Sequence, residues 1–182
     1  SRVEELLSAE TMAGFSRVKY APEQLEAICT ALEEKVMVVT GGPGTGKTTT
    51  VNGIIQAFRK SGLTVTLAAP TGRAAKRMTE TTGVEAKTIH RLIGYGTEKG
   101  LAEPIKGDVL VLDECSMIDL PLMAQLLKAI PETMRLILCG DVDQLPSVGP
   151  GCVFRDIIES GVIPVVRLQT IYRQSQKSDI VL

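Results

Sequence analysis

The stretch GGPGTGKTT, residues 41–49, follows the apolar run VMVVT and leads into a helical pattern. Gly41, Gly46, Lys47 and Thr48 satisfy G-x-x-x-x-G-K-T, and a strand before with a helix after is the context in which that pattern works. The glycines let main-chain N–H groups converge at a helix N-terminus, where the partial positive charge favours a phosphate. Lys47 adds a point charge, and the Thr48 hydroxyl is a ligand for a hard divalent cation. The expected contacts to a nucleoside triphosphate are therefore Gly42, Pro43, Gly44, Thr45, Gly46, Lys47, Thr48 and Thr49. Few folds accept such a loop, because a strand must deliver it and a helix must start where it ends.

The remaining sequence supplies that frame. Short apolar runs at residues 36–40, 64–70, 109–114, 135–141 and 164–168 alternate with helical stretches near 48–60, 73–82, 120–130 and 153–160. The runs lack polar alternation, which predicts strands covered on both faces, as in a parallel sheet. The order predicts an α/β P-loop NTPase, mainly parallel, with helices on both faces and ligands at the carboxyl ends of the strands. Residues 1–35 read as helical: VEELLSAETMAGF has helical spacing, and Pro22 stands where a second helix can begin. Residues 36–182 form the expected ATPase domain, interrupted at 94–107 by GYGTEKGLAEPIKG, a hairpin-like insertion with no clear period.

Composition narrows the partners. A net charge of −1 excludes a chain coated in basic residues, so nucleic-acid contact must come from a local groove. Aromatics make up 3%, leaving few side chains for base stacking. Cys29, Cys115, Cys139 and Cys152 fall at unrelated spacings and read as reduced thiols without a zinc site. No apolar run approaches a membrane span and the start lacks a secretion signal, so a cytoplasmic protein without a membrane partner is expected.

The run VLVLDE ends in Asp113 and Glu114. An acid ending an apolar strand, downstream of the phosphate loop, is the expected partner of Mg²⁺ together with Thr48. Glu114 can polarise an attacking water. Acids ahead of a helix are also favoured by its dipole alone. The adjacent pair favours hydrolysis by water over transfer to a small acceptor. The segment GDVDQLPSVGPG then sets Gln144 in a turn shaped by Asp141, Asp143 and a run of Gly and Pro. A neutral amide there can orient water without repelling a nucleotide. In APTGRAAKRM, Thr71 can cap a helix while Arg73, Lys76 and Arg77 supply positive charge. The same residues would equally make a capped helix with a solvated basic face.

Taken in order, these segments resemble a superfamily 1 helicase, and within it the RecD-like branch related to the alpha subunit of exonuclease V and to TraA-type conjugative proteins. YAPEQLEAI is similar to the Q-type motif, GGPGTGKTTT to motif I, LAAPTGRAAKRM to motif Ia, and KTIHRLIGY to the segment after it. VLDECSM resembles motif II, LCGDVDQLPSVGPG motif III and LQTIYRQ motif IV, so the likeness runs over residues 20–174. It implies the first RecA-like motor domain of a DNA helicase that uses ATP and Mg²⁺ to travel 5′ to 3′ along single-stranded DNA in repair, recombination or transfer.

By the same resemblance, Gln24 would read the adenine edge, Gln144 would contact the γ-phosphate and the water, and Arg173 would reach the γ-phosphate. Glu114, Gln144 and Arg173 are thus the expected catalytic set, and Pro70, Thr71, Gly72, Arg73 and Thr88 or His90 the expected single-strand contacts. The 94–107 insertion corresponds in position to a strand-separating pin, but Glu98 and Glu103 would repel phosphates, and a plain surface hairpin is an equal reading. Cys115 departs from the small residue that many relatives carry. The implied partners are a second RecA-like domain of the same polypeptide, absent from these residues, and recombination or nuclease subunits. A non-catalytic nucleotide-dependent DNA-binding module, a P-loop kinase and a conjugative relaxase-helicase are the alternatives.

Overall fold

The computed structural model describes residues 19–94 and 103–171. The helical reading of VEELLSAETMAGF, the middle of the 94–107 insertion and Arg173 lie outside them. Six strands form one sheet in the order β3-β2-β4-β5-β1-β6, with every pairing parallel. They are β1 (Val36–Gly41), β2 (Val65–Ala69), β3 (Ala86–Thr88), β4 (Val109–Leu112), β5 (Arg135–Gly140) and β6 (Val165–Leu168).

The sequence predicts five of these strands and misses β3. Only three residues long, with exposed Lys87 at its centre, this edge strand shows no apolar run. It exists because β2 offers a free edge, where Ala86–Thr88 pair with Leu67–Ala69 in register. A second correction concerns where β4 and β5 stop. Both end one or two residues earlier than the apolar runs imply, so Asp113, Glu114 and Asp141 stand in the loops beyond the strand ends.

Parallel neighbours require crossovers, and these helices cover both faces. On one face pack α1 (Pro22–Glu33), α2 (Lys47–Lys60) and α3 (Gly72–Thr82), which contribute Ile28, Ile54, Phe58 and Met78 to one core. The other face takes α5 (Leu120–Ala129) and α6 (Val153–Ser160), with Met123, Leu126, Phe154 and Ile158, while α4 (Ile89–Leu92) adds Ile89. Alternation along the strands divides the sheet between them: Val109, Val111, Ile137 and Cys139 face the first core, and Leu110, Leu112, Leu136 and Leu138 the second. Both sets are apolar, hence runs without polar alternation.

Local chemistry fixes the helix ends. Pro22 opens α1, and Gln24 Oε1 accepts from the Ala21 N–H at 2.8 Å. Thr71 and Asp119 cap α3 and α5 through their side-chain oxygens. At the far end of α1, Arg135 Nη1 donates to Leu32 O at 2.9 Å and Glu34 O at 3.2 Å, tying the helix to the start of β5.

Candidate functional site

The loop after β1 closes tightly. A Cβ on Gly41 would lie 2.5 Å from Thr45 Oγ1 and 3.1 Å from Leu168 Cβ, so glycine is what lets the loop approach β6. Thr45 Oγ1 donates to Gly42 O at 2.7 Å, and Gly46, at φ 76°, turns the chain into α2. Lys47 and Thr48 therefore occupy the first turn of a helix whose leading N–H groups have no intrahelical acceptor.

A cleft of about 340 Å³ opens there, lined by Gly42, Pro43, Gly44, Gly46, Lys47 and Thr48 from the loop and α2. Its opposite wall is Asp113 and Glu114 after β4, Asp141 and Gln144 after β5, and Arg77 from α3. The sheet order explains the convergence, because β4, β5 and β1 are consecutive neighbours and all end on the same side.

Lys47 Nζ lies 3.5 Å from Asp113 Oδ1. Burial, the largest single influence, pulls the ammonium down, but the charge and hydrogen bond of Asp113, with the nearby Cys139 and Glu114, together hold Lys47 above the ordinary lysine range. Asp113 Oδ1 also accepts from the Glu114 N–H at 2.8 Å. Glu114 has φ 54°, the only positive φ outside glycine among the described residues. Its Oε1 lies 3.9 Å from Arg77 Nη1. Behind the cleft, burial and the Asp113 charge push the Cys139 thiol far up, so it fills space as a neutral group.

Thr48 and Asp113 both line the cleft, the donor pair a hydrated Mg²⁺ on a phosphate requires. Among the described residues no group of three or more His, Cys, Asp or Glu side chains could hold a metal. A divalent cation here would complete its shell from phosphate oxygens and water, as Mg²⁺ ordinarily does.

The Gln144 turn is anchored rather than loose. Buried Asp141 Oδ1 accepts from the Asp143 N–H at 3.0 Å, Asp141 O from the Gln144 N–H at 3.1 Å, and Thr40 Oγ1 from the Val142 N–H at 3.3 Å. The Gln144 side chain is exposed in the cleft mouth.

Gln24, expected at the adenine edge, has structural partners in the chain. It is only 4% exposed; besides capping α1, its Nε2 donates to Gly46 O at 3.2 Å. Its amide braces the phosphate loop from below. Beside it, Glu23 accepts from the Gln169 and Thr170 N–H groups at 3.2 and 3.0 Å, joining α1 to the chain after β6.

The remaining candidates lie along the same sheet edge, after β2 and β3. Thr71 Oγ1 accepts from the Ala74 N–H at 3.1 Å, Gly72 faces open space, and Arg73 is exposed. Thr88, paired in register with Ala69, accepts from the Arg91 N–H at 3.2 Å and so caps α4, while His90 is exposed. Arg77, which the sequence places only on the basic face of α3, also lines the cleft. Its i, i+4 spacing from Arg73 was the available signal.

The sheet order, the loop and the acids beyond β4 define a RecA-like P-loop NTPase. Residues 24–150 match the family described as AAA domain. The ATP-dependent RecD2 DNA helicase of Deinococcus radiodurans is 40% identical over 169 residues, covering 91% of this chain and 23% of that protein. The RecBCD enzyme subunit RecD of Mycolicibacterium smegmatis is 39% identical over 181 residues, covering 83% of this chain and 33% of that one. In fold, the chain is like the Pif1 helicase from Candida albicans, with a TM-score of 0.64 at 23% identity over 87% of this chain and 41% of that one. The chain belongs to the AAA-domain family, as a RecA-like domain of the RecD-like branch. It spans about a quarter to a third of the length of these curated relatives.

Proposed function

We propose that this domain binds ATP with Mg²⁺ and hydrolyses it as half of a DNA motor, its cleft closed by a second RecA-like domain. The observation that carries this reading is a single sheet edge, with phosphate-type chemistry beyond β1, β4 and β5 and a basic helix start beyond β2. Lys47 and the N–H groups of the loop and first turn of α2 hold the β- and γ-phosphates. Thr48 and Asp113 would hold Mg²⁺, which would supply positive charge against the phosphates. Glu114 accepts a proton from the attacking water while Gln144 orients it, and Arg173 stabilises the charge that develops. Pro70, Thr71, Gly72 and Arg73, with Thr88 or His90, grip single-stranded DNA through its phosphates. Relatives named as an ATP-dependent RecD2 DNA helicase and as a subunit of the RecBCD enzyme support ATP as the fuel and partner subunits for the whole protein; 5′-to-3′ travel and recombination or nuclease partners belong to the same proposal.

The test is ATP turnover by the full-length protein carrying this domain, with and without single-stranded DNA, for wild type and Glu114→Gln. Turnover should rise with DNA and vanish in the variant while DNA binding persists. Turnover that survives Glu114→Gln, or that ignores DNA and needs a small acceptor, overturns the reading. The isolated residues 1–182 should bind ATP weakly and unwind no duplex.

A further inference from the structure

Arg77 belongs to the helix that carries the proposed DNA grip, yet its guanidinium lines the nucleotide cleft 3.9 Å from Glu114 Oε1. The two partners differ in exposure, 65% for the Arg77 side chain against 18% for Glu114. Glu114 is also the residue held at positive φ, so its carboxylate is set by a constrained backbone and by two cations, Lys47 in the cleft and Arg77 in direct reach at 3.9 Å. Arg73 lies one helical turn before Arg77 on the same face of α3. The opposite end of α3 is fastened to the phosphate-loop helix, where Asn52 Nδ2 donates to Thr81 O at 3.0 Å. One rigid helix thus joins the grip, the acid and the helix that begins at Lys47.

We propose, on the DNA-dependent reading given above, that Arg77 restrains Glu114 until a nucleic-acid phosphate draws its guanidinium away. Arg77 is a positioning residue in this role: it touches the acid, and the acid touches the water. The contact suits an exchangeable restraint. At 3.9 Å, with one partner largely in solvent, the pair is loose. A phosphate seated near Arg73 offers the guanidinium a bidentate partner with more acceptor oxygens than one carboxylate edge. Once the cation turns outward, the Glu114 carboxylate is free to accept a proton. DNA occupancy would then raise turnover without moving the phosphate loop.

The experiment is steady-state ATP turnover by the full-length protein, with and without saturating oligo-dT, for wild type, Arg77→Gln and Arg77→Lys. Arg77→Gln should raise the DNA-free kcat about two- to fivefold, the factor to which a surface ion pair corresponds. The KM for ATP and the DNA-saturated kcat should stay within about twofold, because neither depends on the restraint once it is released. Arg77→Lys keeps a charge but loses the fork, and its DNA-free rate should fall between the other two. Adding Glu114→Gln should erase the gain. Thermal melting of each variant separates a loss of fold from a change of rate. Arg77 is not a restraint if Arg77→Gln leaves the DNA-free rate at or below wild type while wild type responds to DNA. A wild type that ignores DNA removes the motor reading itself, and the restraint with it.

Discussion

The Lys47 ammonium rests 3.5 Å from the Asp113 carboxylate, so the two groups expected to meet phosphate and Mg²⁺ neutralise each other across the cleft. On the proposed function, nucleotide binding would exchange this contact for Lys47 on phosphate and leave Asp113 to help hold the cation. Because the lysine lies above its ordinary value of 10.5, the stability it contributes is fully present below that value. The contribution is lost only as pH rises through the still higher folded value, so Lys47 gives neutral-range binding no pH dependence. Lys47→Ala should weaken ATP binding about ten- to hundredfold, the worth of one charged hydrogen bond, by calorimetry at pH 7.5.

Gln24 offers a sharper discrimination. Its amide caps α1 and braces Gly46 O, and both bonds start from a side chain that is itself buried. Gln24→Ala should cost about 1–2 kcal/mol in urea denaturation without nucleotide, because the Ala21 N–H loses its acceptor, while Gly46 O keeps the Thr50 N–H and hydroxyl. Gln24→Glu keeps the acceptor for Ala21 but cannot donate to Gly46, and should recover only part of the loss. A residue serving base recognition alone would leave nucleotide-free stability unchanged and alter only the preference for ATP over GTP.

Glu23 makes the fold sensitive to acid in one place. Burial raises its carboxyl, but the hydrogen bonds from Gln169 and Thr170 together outweigh that and hold it below the ordinary glutamate value of 4.5. The stability it adds is present above that value and is lost as pH falls through the lower folded one. Glu23→Gln should therefore lower the urea midpoint at pH 7 and narrow its difference from wild type in acid below that value. The site is exposed, so the effect should stay under about 1 kcal/mol.

The residues that are easy and hard to read from sequence differ for a physical reason. The phosphate loop, β1, β4 and β5 are legible because a buried parallel strand must be apolar throughout and its ligand must sit at its end. β3 is illegible because it borrows its order from the edge of β2, and Lys87 carries no signature of that loan. Gln24 and Arg77 are legible as residue types but not as contacts. Their partners, Gly46 and Glu114, lie 22 and 37 positions away, and only the packing of α1 and α3 on the sheet brings them together.

Gly41 tests how closely the loop must sit against β6. A methyl group there would meet Thr45 Oγ1 at 2.5 Å and Leu168 Cβ at 3.1 Å, and the second contact belongs to a strand that cannot swing away. Gly41→Ala should destabilise by about 1–3 kcal/mol, the usual cost of overpacking. It should also weaken ATP binding by displacing the loop. Gly72→Ala, which meets nothing within 4 Å, should leave the urea midpoint within about 0.5 kcal/mol of wild type.

Gln144 stands on a wall shared by two spaces. One is the nucleotide cleft, and the other is a cavity of about 100 Å³ that it lines with Ser116, Val142, Pro146, Cys152, Phe154 and Arg155. Its main chain is pinned through Asp141 and Thr40, so the side chain alone is free to choose between them. Gln144→Ala should leave folding and ATP affinity near wild type, because the amide supports neither the loop nor the sheet. The DNA-stimulated kcat should fall about a hundredfold, the lower end of what a group acting on the attacking water contributes. Asp141→Ala should behave in the opposite way, with a loss of stability first, since it removes the buried carboxylate that accepts from the Asp143 N–H. Comparing the two by urea denaturation and single-turnover hydrolysis separates the amide's part in chemistry from the turn that carries it.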